Sequence, residues 1–187
     1  LGILIDTPIP IKMIGDKSLS KRDFKRISDP LSNFGATFRL SKNYGLPLIV
    51  KGSNKLQPIK YYEKKGSAQC KSSVILGGIK ANGKTIIKAK KSRNHTELLL
   101  KHLNLPIKIK NKKNFDLIEI NKVKKINPTN YKIPSDISSS AFFIALTVLT
   151  EDSKLLIKDV NINPSRSGLL TVLKMMGVKI SFSKKKI

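Results

Sequence analysis

The sequence predicts an α/β fold built from a repeated helix–strand unit, and two observations point to it. A serine followed by a basic residue opens three similar stretches, in which Arg22, Arg93 and Arg166 recur at intervals of about 71 and 73 residues. Two other segments, beginning near Ala68 and Ile137, are apolar on nearly every side beyond their first turn, which is typical of helices buried on all faces. The repeat is therefore predicted to contain a helix, a strand, a second helix and then further strands.

The three similar stretches, residues 20–40, 92–109 and 165–180, each combine an amphipathic helix with a short strand. Their apolar residues recur three and four positions apart, which is the spacing of one helix face. Each helix is predicted to end at or near a glycine or asparagine, and a short β-rich run follows it. We therefore expect a strand directly after each of the three helices.

Small and polar residues open both apolar helices, where they can bond to free backbone N–H groups. Ser67 or Ser135 can cap the first turn, while Gly66 or Pro134 sets the entry of the chain. Asp136 is most simply a helix N-cap or a first-turn acid. A helix start also carries a partial positive charge. Two interpretations therefore stay open, namely capping alone, or capping together with the binding of a phosphate group.

Basic residues dominate the composition but are spread along the chain. The formal charge is +25 and the sequence pI is about 10.2, which taken alone would favour a nucleic acid partner. The lysines recur singly or in pairs in nearly every segment, and no tryptophan accompanies the four tyrosines and seven phenylalanines. This pattern favours a solvated surface and no nucleic acid partner. A basic nucleic-acid-binding module stays open as the non-enzyme alternative.

Cysteine content and hydropathy indicate a soluble protein of a reducing compartment. Cys70 is the single cysteine, which excludes a disulfide within the chain and a multi-cysteine zinc site. It belongs to an apolar helix, so we expect it to pack in the core. No apolar segment approaches the roughly 18 residues needed to span a bilayer. We expect a cytoplasmic protein without a membrane partner and, because the chain opens on Leu1, a fragment.

Five motifs in a fixed order give the sequence a family resemblance. They are GDKSLSKR, GSAQCKS, SRNHTE, IPSDISSSAF and NPSRSGLLTVLKMMG, which begin at residues 15, 66, 92, 133 and 163. On these motifs the chain resembles the middle of the 5-enolpyruvylshikimate-3-phosphate (EPSP) synthase family over essentially its whole length. Enzymes of a related fold, the UDP-N-acetylglucosamine enolpyruvyl transferases and the RNA 3′-phosphate cyclases, stay open as alternatives. The loop cysteine motif of the first and the histidine nucleophile context of the second are not found.

The resemblance implies both a fold and a reaction. The family fold has two similar domains, each built from three βαβαββ units with helices packed inside and sheets outside. The reaction transfers the enolpyruvyl group of phosphoenolpyruvate to the 5-hydroxyl of shikimate 3-phosphate and releases phosphate, a step of aromatic amino acid biosynthesis. The resemblance also implies that no metal or organic cofactor takes part, and we expect a monomer when the protein is full length.

Phosphoenolpyruvate is expected near Arg22 and Gln69 on the same resemblance. The planar guanidinium of Arg22 can hold a carboxylate or phosphate through two hydrogen bonds. Gln69 is expected between the two substrates, where its amide can donate and accept. The sequence departs from the family in having Asp23 and Phe24 after Arg22, where Pro and Met are usual. Asp23 could therefore compete for the charge of Arg22.

Shikimate 3-phosphate is expected at two helix starts. The resemblance assigns its phosphate group to Ser67 and Ala68, through hydroxyl and backbone N–H groups. It assigns a second helix start at Ser92 and Arg93 to the same phosphate.

The resemblance also divides the chain between two domains, with the crossover at Ile133/Pro134. Residues 1–133 would be most of the N-terminal domain without its first unit, and residues 134–187 would be the start of the second domain. The proton-transfer residues of the family fall outside the chain, so no catalytic residue is assigned within it. We therefore expect the 187-residue chain to be inactive on its own.

Overall fold

The computed structural model describes residues 1–183, and the chain divides into two compact units. The first unit is Leu1–Pro128 and the second is Thr129–Ile187. The boundary between them lies a few residues before the predicted domain crossover at Ile133/Pro134, which itself stays a prediction.

The first unit consists of short strands and helices that alternate along the chain. In order they are β1 (Ile11–Met13), α1 (Lys25–Ser32), β2 (Thr37–Arg39), β3 (Leu48–Lys51), β4 (Lys60–Glu63), α2 (Ala68–Gly78), β5 (Lys84–Lys90), α3 (His95–His102), β6 (Ile107–Asn111) and β7 (Phe115–Asn121). Two short 3-10 helices, Leu4–Asp6 and Leu19–Lys21, precede β1 and α1. No helix in residues 1–183 is both long and apolar enough to cross a membrane.

One complete βαβαββ unit runs from β4 to β7. Its sheet has the strand order β4-β5-β7-β6. The β4 and β5 strands are parallel and are joined through α2, with Glu63 opposite Ala89, whereas the other two strand pairs are antiparallel. This order of elements confirms the predicted repeat of helix, strand, helix and strands.

A shorter copy of the same arrangement precedes the complete unit. The antiparallel sheet β1-β3-β2 has the same order as β5-β7-β6, and α1 takes the place of α3. Arg22 precedes α1 and Arg93 precedes α3, as the spacing of the two arginines predicts. The strands predicted after these helices are present as β2 and β6.

Helix α2 lies at the centre of the first unit. Val74 and Ile75 are fully buried in an apolar cluster that draws residues from both halves of the unit. Gly77 allows this close packing, because a Cβ atom there would lie 2.9 Å from Ile5 Cδ1 and 3.2 Å from Phe34 Cε2. Cys70 is buried in the same helix, as predicted. The prediction of a helix buried on all sides is confirmed for α2.

Lysines occupy the exposed face of the four-stranded sheet. Along β5 the side chains of Lys84, Lys88 and Lys90 are exposed, whereas Ile87 between them is buried against the helices. This alternation places the helices on one face of the sheet and solvent on the other. The charge on these strands thus forms a solvated surface, as the sequence indicated.

The second unit contains two helices, α4 (Ile137–Leu149) and α5 (Gly168–Met175). A small cluster of Ile137, Ile144, Leu170 and Leu173 holds them together. Ser135, before α4, and Val160, after it, form an isolated parallel β-bridge. The parallel strands β4 and β5 precede and follow α2 in the same way.

Two predictions for the second unit are wrong. Residues 178–180 do not form a strand after α5, because no neighbouring strand in the described part of this unit offers them hydrogen bonds. Helix α4 is not buried on all sides, since Phe142 is 80% exposed and Leu149 is 85% exposed. Its apolar face needs more protein around it than the described residues of the unit supply.

Candidate anion-binding site

The N-terminus of α2 is capped by a neutral side chain and keeps two donors free. Ser67 is the N-cap, and its Oγ accepts a hydrogen bond from the Cys70 N–H at 3.2 Å. The Ser67 carbonyl accepts from Lys71 N–H at 3.1 Å. Within residues 1–183 the N–H groups of Ala68 and Gln69 have no hydrogen-bond acceptor. They stand at the positive end of the helix, where an anion can bind.

A buried carboxylate shapes the turn that leads into this helix. Glu63, at the end of β4, accepts hydrogen bonds from Lys65 N–H at 3.0 Å and Gly66 N–H at 2.6 Å. Gly66 has a φ of +73°, which a residue with a side chain rarely adopts. The turn therefore delivers Ser67 to the capping position in a defined conformation.

The start of α3 is attached to the start of α2 by two polar contacts. The hydroxyls of Ser72 and Thr96 share a hydrogen bond of 2.7 Å. Lys71 Nζ forms an ion pair of 2.7 Å with Glu97 Oε1, and both side chains are almost wholly buried. Because each contact joins the N-terminal half of α2 to the first turn of α3, the two helix starts lie at the same end of the helix pair.

Ser92 and Arg93 lie just ahead of α3. The Ser92 Oγ atom is buried and has no hydrogen-bond partner in the described part of the chain. The Arg93 side chain is exposed, and within residues 1–183 no carboxylate forms an ion pair with it. Both side chains thus keep hydrogen-bonding capacity that the first unit does not use.

A cleft of about 420 Å³ contains the other two predicted residues. Arg22 and Gln69 line it, together with Asp23 and Arg26, and most of its other lining side chains are apolar. Arg26 Nη2 donates a hydrogen bond of 3.1 Å to Gln69 Oε1. The Asp23 carboxylate accepts from Lys25 N–H at 2.8 Å and forms no ion pair with Arg22 in the described structure. The direct ion pair between Asp23 and Arg22 that the sequence suggested is therefore not formed in the described residues.

In the second unit, the N-terminus of α4, which corresponds to that of α2, is capped by a charged side chain. Asp136, and not Ser135, is the N-cap of α4, and its carboxylate accepts from Ser138 N–H at 3.1 Å. Ser135 uses its backbone to bridge Val160 instead, so its side chain is one position too early to cap. Arg166, the repeat counterpart of Arg93, donates to Asp136 Oδ1 from Nε at 3.1 Å and from Nη2 at 2.9 Å. The Ser138 N–H and then the Arg166 guanidinium hold the pKa of the Asp136 carboxyl below its ordinary value.

The structure thus brings Arg22 and Gln69 into one cleft and places Ser67 and Ala68 at the α2 start. Sequence reasoning missed three supporting groups, which are Glu63 below the turn, the Lys71–Glu97 ion pair, and Arg26 beside Gln69. Spacing gave no signal for Arg26, because Arg22 lies in extended backbone before α1 and the two arginines do not share a helix face.

Comparisons with known proteins agree with this fold. A family model described as EPSP synthase (3-phosphoshikimate 1-carboxyvinyltransferase) matches residues 1–187. The 3-phosphoshikimate 1-carboxyvinyltransferase of Caldicellulosiruptor bescii is 47% identical over 182 residues, covering 96% of this chain and 42% of the relative. The protein of the same name from Leuconostoc mesenteroides is 40% identical over 97% of this chain and 41% of its own length.

Solved structures give the same result. The EPSP synthase from Acinetobacter baumannii superposes with a TM-score of 0.81 at 33% identity, covering all of this chain and 42% of that one. The enolpyruvyl transferase NikO from Streptomyces tendae has a TM-score of 0.69 at 16% identity, covers 97% of this chain and 44% of that one, and shows the fold alone. The chain spans about two fifths of the length of the relatives it matches. Over that span, the chain belongs to the EPSP synthase family.

Proposed function

We propose that this chain is part of an enzyme that transfers the enolpyruvyl group of phosphoenolpyruvate to the 5-hydroxyl of shikimate 3-phosphate and releases phosphate. Family membership over residues 1–187 supports the reaction. The observation that carries the proposal is the start of α2, where a neutral cap leaves the N–H groups of Ala68 and Gln69 free beside a cleft that contains Arg22. Both substrates are anions, and this arrangement supplies donors and positive charge.

The contrast between the two units supports an external anion at α2. In the second unit the carboxylate of Asp136 lies at the helix start and pairs with Arg166. In the first unit the cap is the neutral Ser67, and the counterpart arginine, Arg93, has no carboxylate partner in the described residues. A bound phosphate would supply at α2 the negative charge that Asp136 supplies at α4.

We assign the substrate roles accordingly. Ser67 and Ala68 bind the phosphate of shikimate 3-phosphate through the hydroxyl and the backbone N–H, and Ser92 and Arg93 bind the same phosphate from the start of α3. Gln69 lies between the substrates.

Arg22 binds phosphoenolpyruvate, whose carboxylate and phosphate both suit a guanidinium fork. The chain spans 42% of the length of the Caldicellulosiruptor bescii relative. The remainder of the full-length protein would therefore supply the substrate-binding groups on the other side of the active site, together with the proton-transfer residues. We further propose that the full-length enzyme is a cytoplasmic monomer.

Release of phosphate in the presence of both substrates tests the proposal in the full-length protein that carries this chain. Arg22→Ala should lower kcat/KM for phosphoenolpyruvate on the order of a hundredfold, because two charge-assisted hydrogen bonds are lost. Arg39→Ala is the matched control, because Arg39 is exposed on β2 and does not line the cleft. Equal activity of wild type and Arg22→Ala would contradict the assignment, and a wild-type protein without turnover would contradict the proposed reaction.

A further inference from the structure

One contact in the cleft fixes which way the Gln69 amide points. Arg26 Nη2 on α1 lies 3.1 Å from Gln69 Oε1 on the first turn of α2. A guanidinium has only donors, so it can bond to the oxygen of an amide and never to its NH2 group. Gln69 must therefore turn its carbonyl oxygen to Arg26, which directs its two amide N–H donors away from Arg26.

We propose that Arg26 is a positioning residue that holds the Gln69 amide with its NH2 group toward the anionic substrate. The inference rests on the proposed function, since it takes the ligand beside Gln69 to be phosphoenolpyruvate. If the amide rotated by half a turn, it would present a carbonyl oxygen to a carboxylate or phosphate, and two acceptors would then meet without a proton between them. The hydrogen bond from Arg26 to Oε1 favours the orientation that avoids this repulsion.

The charge of Arg26 is available for this role. Asp23 and Asp29 are the acids nearest to it in sequence, each three residues away, and the Asp23 carboxylate is already bonded to the Lys25 N–H. Among the described residues no carboxylate forms an ion pair with Arg26. A guanidinium without a carboxylate polarises the amide it binds, which strengthens the Nε2 donors on the other side. Arg26 thus acts through Gln69, while Arg22 contacts the substrate.

A double-mutant cycle in the full-length protein tests the proposal. Arg26→Met keeps the aliphatic stem and removes the donor, and Gln69→Leu removes the amide. Arg26→Met alone should lower kcat/KM for phosphoenolpyruvate about tenfold, the loss expected for one charge-assisted hydrogen bond. In the Gln69→Leu background the same change should cost less than about twofold, because Arg26 then has no amide to orient. Arg39→Met is the control for removing an arginine elsewhere.

Polarity reversal gives a second, independent test. Arg26→Glu replaces a donor by an acceptor, so the Gln69 amide should turn its NH2 group to Glu and its carbonyl to the substrate. The loss in kcat/KM should then exceed that of Arg26→Met, whereas in the Gln69→Leu background the two variants should differ little. Arg26→Lys, which keeps a donor and the charge, should recover most of the activity that Arg26→Met loses, including any part lost through stability.

Three results would overturn the proposal. They are an unchanged kcat/KM in Arg26→Met, an equal fall with and without Gln69, and Arg26→Lys as poor as Arg26→Met. An equal fall would mean that Arg26 acts on the substrate directly through its charge. Failure of the proposed function has a different signature, because the wild-type protein would then show no turnover of phosphoenolpyruvate at all.

Discussion

The guanidinium of Arg166 lies 2.9 Å from the carboxylate of Asp136, which is the N-cap of α4. The same repeat position in the first unit is held by Arg93, and the cap of α2 is Ser67. The two units therefore differ in charge at corresponding helix starts. At α4 a carboxylate of the protein lies at the helix start, whereas at α2 the N–H groups of Ala68 and Gln69 have no acceptor among the described residues.

This difference predicts opposite outcomes for two matched arginine variants. Arg93→Ala should weaken shikimate 3-phosphate binding by about tenfold or more, since one charge-assisted contact to a phosphate is lost. Arg166→Ala should leave that affinity within about twofold, because its partner is Asp136. Calorimetric titration of the two full-length variants measures both affinities. Equal losses in the two variants would contradict the assignment of Arg93.

The buried ion pair between Lys71 and Glu97 should be important for stability. Lys71 is 0% exposed, so Glu97→Leu would leave its ammonium buried without a partner and lower the free energy of unfolding by about 3–5 kcal/mol. The double variant Lys71→Met/Glu97→Leu should cost less than Glu97→Leu alone, because no charge then stays buried. Urea unfolding of the full-length variants measures these differences. A double variant as unstable as the sum of the two singles would contradict the pairing.

The Asp136 cap should make stability depend on pH in a defined direction. Its pKa is lowered in the folded protein by the Ser138 N–H and by Arg166. A carboxyl whose folded pKa is lowered stabilises the protein above its unfolded pKa of 3.8, and that contribution is lost as the pH falls through the folded value. The difference in unfolding free energy between wild type and Asp136→Asn should thus be constant near neutral pH and shrink below about 3.8. Denaturant titrations at a series of pH values test this, and a difference that grows toward acid pH would contradict it.

Local sequence was enough to locate the helices that build the site. The apolar segments predicted to begin near Ala68 and Ile137 form α2 and α4, and these helices begin at those residues. Their starts could be predicted because an N-cap side chain bonds to a backbone N–H group only two or three residues further along the chain. The arginine spacing likewise identified α1 and α3 as counterparts. Such features depend on neighbours along the chain, which a single sequence contains.

Features that depend on residues far apart along the chain could not be predicted from the sequence. The strand expected at residues 178–180 needs another strand beside it, and local β propensity does not supply one. The contact between Arg26 and Gln69 joins residues 43 positions apart, and Lys71 meets Glu97 across two helices. Neither pair has a local spacing that would reveal it. The orientation of the Gln69 amide therefore required the structure.

The central claim is that the start of α2 binds the phosphate of shikimate 3-phosphate, and Ser67→Asp tests it most directly. Aspartate caps helices as well as serine does, and it would give α2 the charge that Asp136 gives α4, so the melting temperature should stay close to wild type. Ser67→Asn is the matched control, because asparagine caps equally well without a charge.

Calorimetric titration of the full-length protein with shikimate 3-phosphate is the measurement. We expect Ser67→Asp to weaken binding on the order of a hundredfold, because a carboxylate would occupy the place of the phosphate and repel it. Ser67→Asn should weaken binding by no more than about tenfold, the effect of altering one neutral hydrogen bond. Wild-type affinity in Ser67→Asp would contradict the claim, since a phosphate at this helix start could not tolerate the added charge.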